Sequence, residues 1–121
     1  MIRPTVALAV AINRAVRHDD EWFDEPDDLD RLGKALDAID GIEDVVTAAA
    51  ALMCRVARAQ AFGEGNKRTA LLLGRWLLDR NGEDGRQFIG PDDRDLFDLL
   101  VAASAGQTVE AEVVELLPAG R

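Results

Sequence analysis

Between positions 60 and 69 the chain reads Gln60-Ala61-Phe62-Gly63-Glu64-Gly65-Asn66-Lys67-Arg68-Thr69, small residues around one carboxylate, then Asn, Lys and Arg opening an apolar stretch. Glycines at 63 and 65 let the backbone turn tightly beside a ligand. A helix that starts at Asn66 aims its unpaired N–H groups and positive dipole end at that loop. Such a corner seats an anion, phosphate in particular, and the Glu64 carboxylate could hold a metal ion beside it. It is not a Walker loop, because the G-x-x-x-x-G-K-[ST] spacing is absent.

Two helices must position this loop. Upstream, Ile42, Val45, Val46, Ala49, Leu52, Met53 and Val56 recur at helical spacing and predict the longest helix, whose alanines at 48–51 permit close packing. It ends in Arg55-Val56-Ala57-Arg58-Ala59-Gln60 and so delivers Gln60 to the loop. Downstream, 66–81 is apolar on nearly every side (Ala70, Leu71, Leu72, Leu73, Trp76, Leu77, Leu78), which predicts a central, buried helix with Gly82 as its C-cap.

The other elements surround this pair. Thr5 caps a first helix running to about Arg17, and Asp27 or Asp28 caps a short helix with Leu29, Leu32, Leu36 and Ile39 on one stripe, closed by Gly41. The acidic stretch 18–28 between them, with Trp22, Phe23 and Pro26, reads as a surface loop, its aromatics either a satellite cluster or a flap that meets a partner. Residues 83–90 read as a turn-rich connector, Pro91 opens a helix ending near Gly106 with Leu96, Leu99, Leu100 and Ala103 inward, and Thr108 caps a last helix over 109–117. Residues 118–121 should fray. With no repeat, linker or strand pair, 1–121 reads as a single compact all-α domain, a helical bundle around 66–81.

Composition narrows the function. A chain of 121 residues with 48% hydrophobic and 31% charged residues is an ordinary globular composition. The lone Cys54 falls in an apolar helical stretch and reads as a buried small hydrophobe, which fits a reducing cytoplasm. No signal-peptide layout and no run of about 18–20 apolar residues is present, so no membrane partner and a cytoplasmic location are expected. The net charge of −9 argues against direct nucleic-acid binding. Charge is uneven, however. Positions 19–30 hold eight acids and no base, while 55–86 hold seven bases against four acids and contain the loop.

The loop resembles the signature of the Fic/Doc family, whose form is His-x-Phe-x-acid-small-Asn-x-Arg, and most of all that of its Doc (death-on-curing) branch, toxins of toxin–antitoxin modules. The resemblance runs from the first helix to about Leu117. It implies a Fic/Doc-type helical bundle that holds ATP with its phosphates over Gly63, Gly65, Asn66, Lys67 and Arg68, Mg²⁺ on Glu64, and Phe62 anchoring the loop in the core. Arg68 would grip phosphate bidentately and Lys67 as a point charge. AMP-transferring members typically carry Gly at the place of Lys67 and a second Arg at that of Leu71, so the resemblance favours transfer of the terminal phosphate to a hydroxyl of a translation elongation factor over AMP transfer. An internal inhibitory helix of the form [Ser/Thr]-x-x-x-Glu-[Gly/Asn] is matched only incompletely by Thr108 to Val113, which implies control by a separate antitoxin.

The family's catalytic His, the base that takes the target hydroxyl's proton, falls at Gln60. An amide accepts no proton at neutral pH, and losing a general base typically costs about 10²–10⁴ in rate. Phosphoryl transfer relies mostly on positioning and charge neutralisation, so activity is not necessarily abolished. Three readings follow: a subfamily with altered or weak transfer, a nucleotide- or antitoxin-binding pseudoenzyme, or a replacement that disarms a toxic protein. The only histidine, His18, reads as a solvated loop residue, with a rescue role as the alternative.

Overall fold

Five helix starts rest on a side-chain cap, and the one at Asn66 has none. In the computed structural model residues 1–17, 27–90 and 93–119 are described. The acidic loop with His18, Trp22 and Phe23, the expected helix-opening Pro91 and the last two residues lie outside these. The element order is α1 (Val6–Val16), α2 (Leu29–Leu36), one 3₁₀ turn (Asp37–Ile39), α3 (Val45–Ala59), α4 (Asn66–Arg80), α5 (Gly85–Phe88), α6 (Arg94–Ser104) and α7 (Glu110–Ala119). No strand occurs among the described residues, and no helix there is long and apolar enough to cross a membrane.

Thr5 Oγ1 accepts the Leu8 N–H at the start of α1, and Asp28 does the same for Arg31 at the start of α2. The helix expected from Ile42 begins three residues later, because Asp44 accepts both the N–H and the hydroxyl of Thr47 and so sets the first turn. Gly41 and Gly82 take left-handed φ of +78° and +92° just beyond the turns they close. The connector over 83–90 contains one helical turn, α5, whose end carries Phe88 and Ile89 into the core. The last helix begins at Glu110, one residue later than a Thr108 cap implies.

Helix α4 packs against α1, α3, α5 and α6, the central place expected for it, and α3 shares that place by packing against α2, α4, α6, α7 and the 3₁₀ turn. The seam between α3 and α4 is close because of small residues. Ala48, Ala49, Ala50 and Ala57 are fully buried on α3, and a Cβ at Gly74 of α4 would stand 2.5 Å from the Met53 sulfur. Cys54 is buried in the same core, where burial first, then the Glu110 carboxylate, pushes its thiol pKa up to about 12. This pair of helices is the rigid base from which the 60–65 loop projects.

Candidate functional site

Helix α3 ends at Gln60, whose φ of 47° and ψ of 48° place it in the left-handed region, the one non-glycine there among the described residues. That conformation costs an L-residue about 1–2 kcal/mol, and it swings the chain sharply out of the helix. The Gln60 side-chain amide donates to the Ser104 carbonyl at the end of α6, 3.1 Å away. The two neighbouring carbonyls are also held: Ala59 accepts from Arg31 Nη1 at 3.3 Å and Ala61 from the Asp28 N–H at 2.8 Å. The start of α2 is thereby fastened to the start of the loop.

Phe62 is only 4% exposed and anchors the loop from below. Around it Asn66 closes a ring, with the Phe62 N–H donating to Asn66 Oδ1 at 3.1 Å and Asn66 Nδ2 donating back to the Phe62 carbonyl at 3.0 Å. The Asn66 side chain is thus committed to shaping the loop, and what it offers an anion is its backbone N–H. Gly65 takes φ +77°, the left-handed turn expected of a glycine here, whereas Gly63 does not need positive φ. No side chain caps α4, so the N–H groups of its first turn are available to an anion.

A residue that sequence reasoning did not single out locks this corner. Asn13 on α1 is fully buried, and its Nδ2 donates to the Glu64 carbonyl at 2.8 Å and to Thr69 Oγ1 at 3.1 Å. The same helix comes so near that a Cβ at Gly65 would lie 3.1 Å from Asn13 Nδ2. The polar signal was visible in sequence as an Asn inside an apolar helix, but its partners lie 51 and 56 residues away.

Two buried oxygens of this corner have no hydrogen-bond partner among the described residues, Asn13 Oδ1 and Glu64 Oε1. A buried carboxylate oxygen left without a donor is costly, and a hard cation is one group that would satisfy it. No cluster of three or more His, Cys, Asp or Glu converges among the described residues. Glu64 therefore fits Mg²⁺ only as the single protein carboxylate, the remaining ligands coming from phosphate and water oxygens, which is the ordinary Mg²⁺ arrangement.

The cations flank the helix start. Lys67 is half-buried and has no ion-pair partner among the described residues, while Arg68 is exposed and spends one weak bond, 3.4 Å, on the Val16 carbonyl at the end of α1. Beside it lies a cavity of about 150 Å³ lined by Val16, Arg68, Leu71, Leu72, Arg75 and Ile89. Arg75 was not anticipated, although seven residues after Arg68 puts it on the same face of a 3.6-residue helix. The structure thus gathers Glu64, Gly65, Asn66, Lys67 and Arg68 at one helix start, and ties Gln60 instead to α6.

Comparison with family models gives a match to the Fic/DOC family over residues 6–78, from the start of α1 almost to the end of α4. Searches of the curated proteins and of the solved structures return no match. The matched span takes in more than half of the chain, including Asn13, the whole loop and the α3–α4 base. Members of this family generally transfer nucleotide-derived groups to proteins, using a nucleoside triphosphate and Mg²⁺. On that match, and with an all-helical fold to support it, the chain belongs to the Fic/DOC family.

Proposed function

We propose that the protein is a Doc-like toxin that binds the phosphates of ATP at the start of α4 and transfers the terminal phosphate to a hydroxyl of a translation elongation factor in the cytoplasm, at a rate attenuated by Gln60. The observation that carries this reading is the uncapped α4 start beside Glu64, whose buried Oε1 has no hydrogen-bond partner among the described residues. Glu64 would hold Mg²⁺ together with phosphate oxygens, and the ion would neutralise charge as the phosphoryl group moves. Lys67 and Arg68 supply further positive charge, Gly65 keeps the backbone close to the ligand, and the ring made by Phe62 and Asn66 fixes the direction of the N–H groups. Phosphate transfer is preferred to AMP transfer because Lys67 and Leu71 stand where AMP-transferring relatives typically have Gly and Arg. A cognate antitoxin is the expected regulator.

Position 60 decides the rate. Its amide cannot take the hydroxyl proton, and its hydrogen bond to Ser104 occupies the side chain elsewhere. That bond favours a second reading, a pseudoenzyme that binds nucleotide or antitoxin without chemistry. Incubation with γ-labelled or α-labelled ATP, Mg²⁺ and a cell lysate separates the readings, using both the Gln60 chain and Gln60→His. Label from γ-ATP alone, rising about 10²–10⁴-fold in Gln60→His, is the expected result. Label from α-ATP would indicate AMP transfer, and no label from either chain despite MgATP binding would leave the pseudoenzyme.

A further inference from the structure

The face of the molecule between α2 and α3 carries charge that the loop site does not use. Two turns of different helices each present cations three residues apart, Arg31 and Lys34 on α2, Arg55 and Arg58 on α3, around a groove of about 260 Å³ floored by Ala35 and Ala59. On a chain of net charge −9 such a concentration is out of keeping with the surface as a whole. We infer that this groove is a binding site for a phosphate-bearing anion, separate from the loop.

The argument is a count of charges and donors. Arg31 is matched by Asp28, with Nε 3.6 Å from Oδ2, and Arg58 by Glu110, with Nη2 3.0 Å from Oε1. The same two guanidinium groups are aimed by backbone carbonyls, Arg31 by Ala59 and Arg58 by Gln107 at 2.9 Å. They are thus held in place with donors to spare, since each guanidinium has five. Lys34 and Arg55 are exposed and have no hydrogen-bond or ion-pair partner among the described residues. The groove therefore carries two uncompensated positive charges, which suits a phosphate dianion better than a single carboxylate. Guanidinium groups bind phosphate oxygens in pairs. The volume falls just below the range for drug-sized ligands, which fits a phosphate group or short phosphate chain rather than a length of nucleic acid. The ligand is either a free phosphate chain or a phosphorylated side chain of another protein.

The test titrates tripolyphosphate, a phosphoserine peptide and the same peptide with Glu for phosphoserine into the full chain at low salt. It is run in a Lys67→Gln/Arg68→Gln background, so that the loop does not contribute and a failure of the proposed transfer reaction leaves the result intact. Lys34→Gln/Arg55→Gln is then added, both being exposed and outside the core, and circular dichroism checks that the fold persists. Tripolyphosphate is expected to bind, and the added pair should weaken it by about twenty-five-fold, some fivefold per lost charge. Tight binding of the phosphoserine peptide as well would identify a protein-borne phosphate, and binding of tripolyphosphate alone a free one. Binding that survives the added pair, equal affinity for the Glu peptide, or no binding of either phosphate ligand overturns the inference.

Discussion

Asn13→Ala is expected to loosen the site by removing a side chain that bolts α1 to the loop from within the core. The variant deletes bonds of 2.8 Å to the Glu64 carbonyl and 3.1 Å to Thr69 Oγ1, leaving acceptors without a donor. Each net hydrogen bond contributes about 0.5–1.5 kcal/mol, and a stranded buried acceptor adds to the loss. Against this, the variant also removes Asn13 Oδ1, which is buried without a partner and whose own burial is unfavourable. The balance is a loss of about 2–3 kcal/mol, or about 6–15 °C in Tm for a domain of this size. Differential scanning calorimetry and urea unfolding measure it, and MgATP titration should show weaker binding as Glu64 and Gly65 drift from α1. Asn13→Asp sharpens the test because it keeps the shape but sets a carboxylate against the Glu64 carbonyl. Burial raises the folded-state pKa of such an acid, so its deficit relative to the parent should be smallest near pH 4 and grow as pH rises above the ordinary carboxylate value. A Tm within about 2 °C of the parent for Asn13→Ala, or a pH-independent deficit for Asn13→Asp, would refute the bolt.

Four further outcomes are expected. Gly74→Ala puts a Cβ 2.5 Å from the Met53 sulfur and should destabilise by about 1–3 kcal/mol, with Met53→Val restoring part of the loss in chemical unfolding. Cys54, buried and with its thiol pushed up to about 12, should resist alkylation at pH 8 in the folded chain and react at once in denaturant. The carboxyl of Asp44 is held below its ordinary value by the Thr47 hydroxyl and then the Thr47 N–H, so its contribution is present above the unfolded pKa near 3.8 and fades as pH falls through the lower folded value. Asp44→Ala should cost about 1 kcal/mol at pH 7 by urea unfolding and less at pH 2–3, whereas Asp44→Asn keeps the cap. Gln60→Gly relieves the left-handed strain but loses the Ser104 bond, so its stability should lie within about 1 kcal/mol of the parent, with MgATP affinity changed by less than about threefold.

Local chemistry accounts for what was legible in the sequence. Caps such as Thr5 and Asp28 act within three residues of themselves, and the apolar periodicity of 45–59 and 66–80 is a property of one helix at a time, so element type and order could be read directly. Asp44 shows where this stops. Ile42, in phase with Val45 and Val46, extends the periodic pattern upstream of the cap that actually starts α3, and the pattern alone cannot tell a helical turn from an extended lead-in. In the loop, the placing of Glu64, Lys67 and Arg68 at the start of α4 was legible from residue type and spacing. The division of labour within the loop was not, because a motif names residues without saying which groups are already occupied. Asn66 spends its side chain on Phe62 four residues away, and the bolt at Asn13 depends on a helix contacting a loop more than fifty positions later. Phe88 and Ile89, flanked by glycines in a connector, enter the core because Asp79 Oδ1 takes the Gly85 N–H and folds the segment back onto α4.

On the proposed reading, binding and chemistry are mechanically separable in this loop. The contacts that fix the α4 start do not involve position 60: Phe62 in the core, the ring it forms with Asn66, the left-handed turn at Gly65 and the hold of Asn13 on Glu64 and Thr69. Gln60 contributes to none of these. It sits where α3 ends, and its polar contact reaches α6, whose own carbonyl end it satisfies. On that reading, a change of residue at 60 therefore removes or restores a base without disturbing the groups that would meet phosphate. Histidine is among the few non-glycine residues that adopt the left-handed region with some ease, so the backbone conformation already present at 60 would accommodate the imidazole. On the proposed reading a histidine would act from this place, which the glutamine holds as a tether to α6.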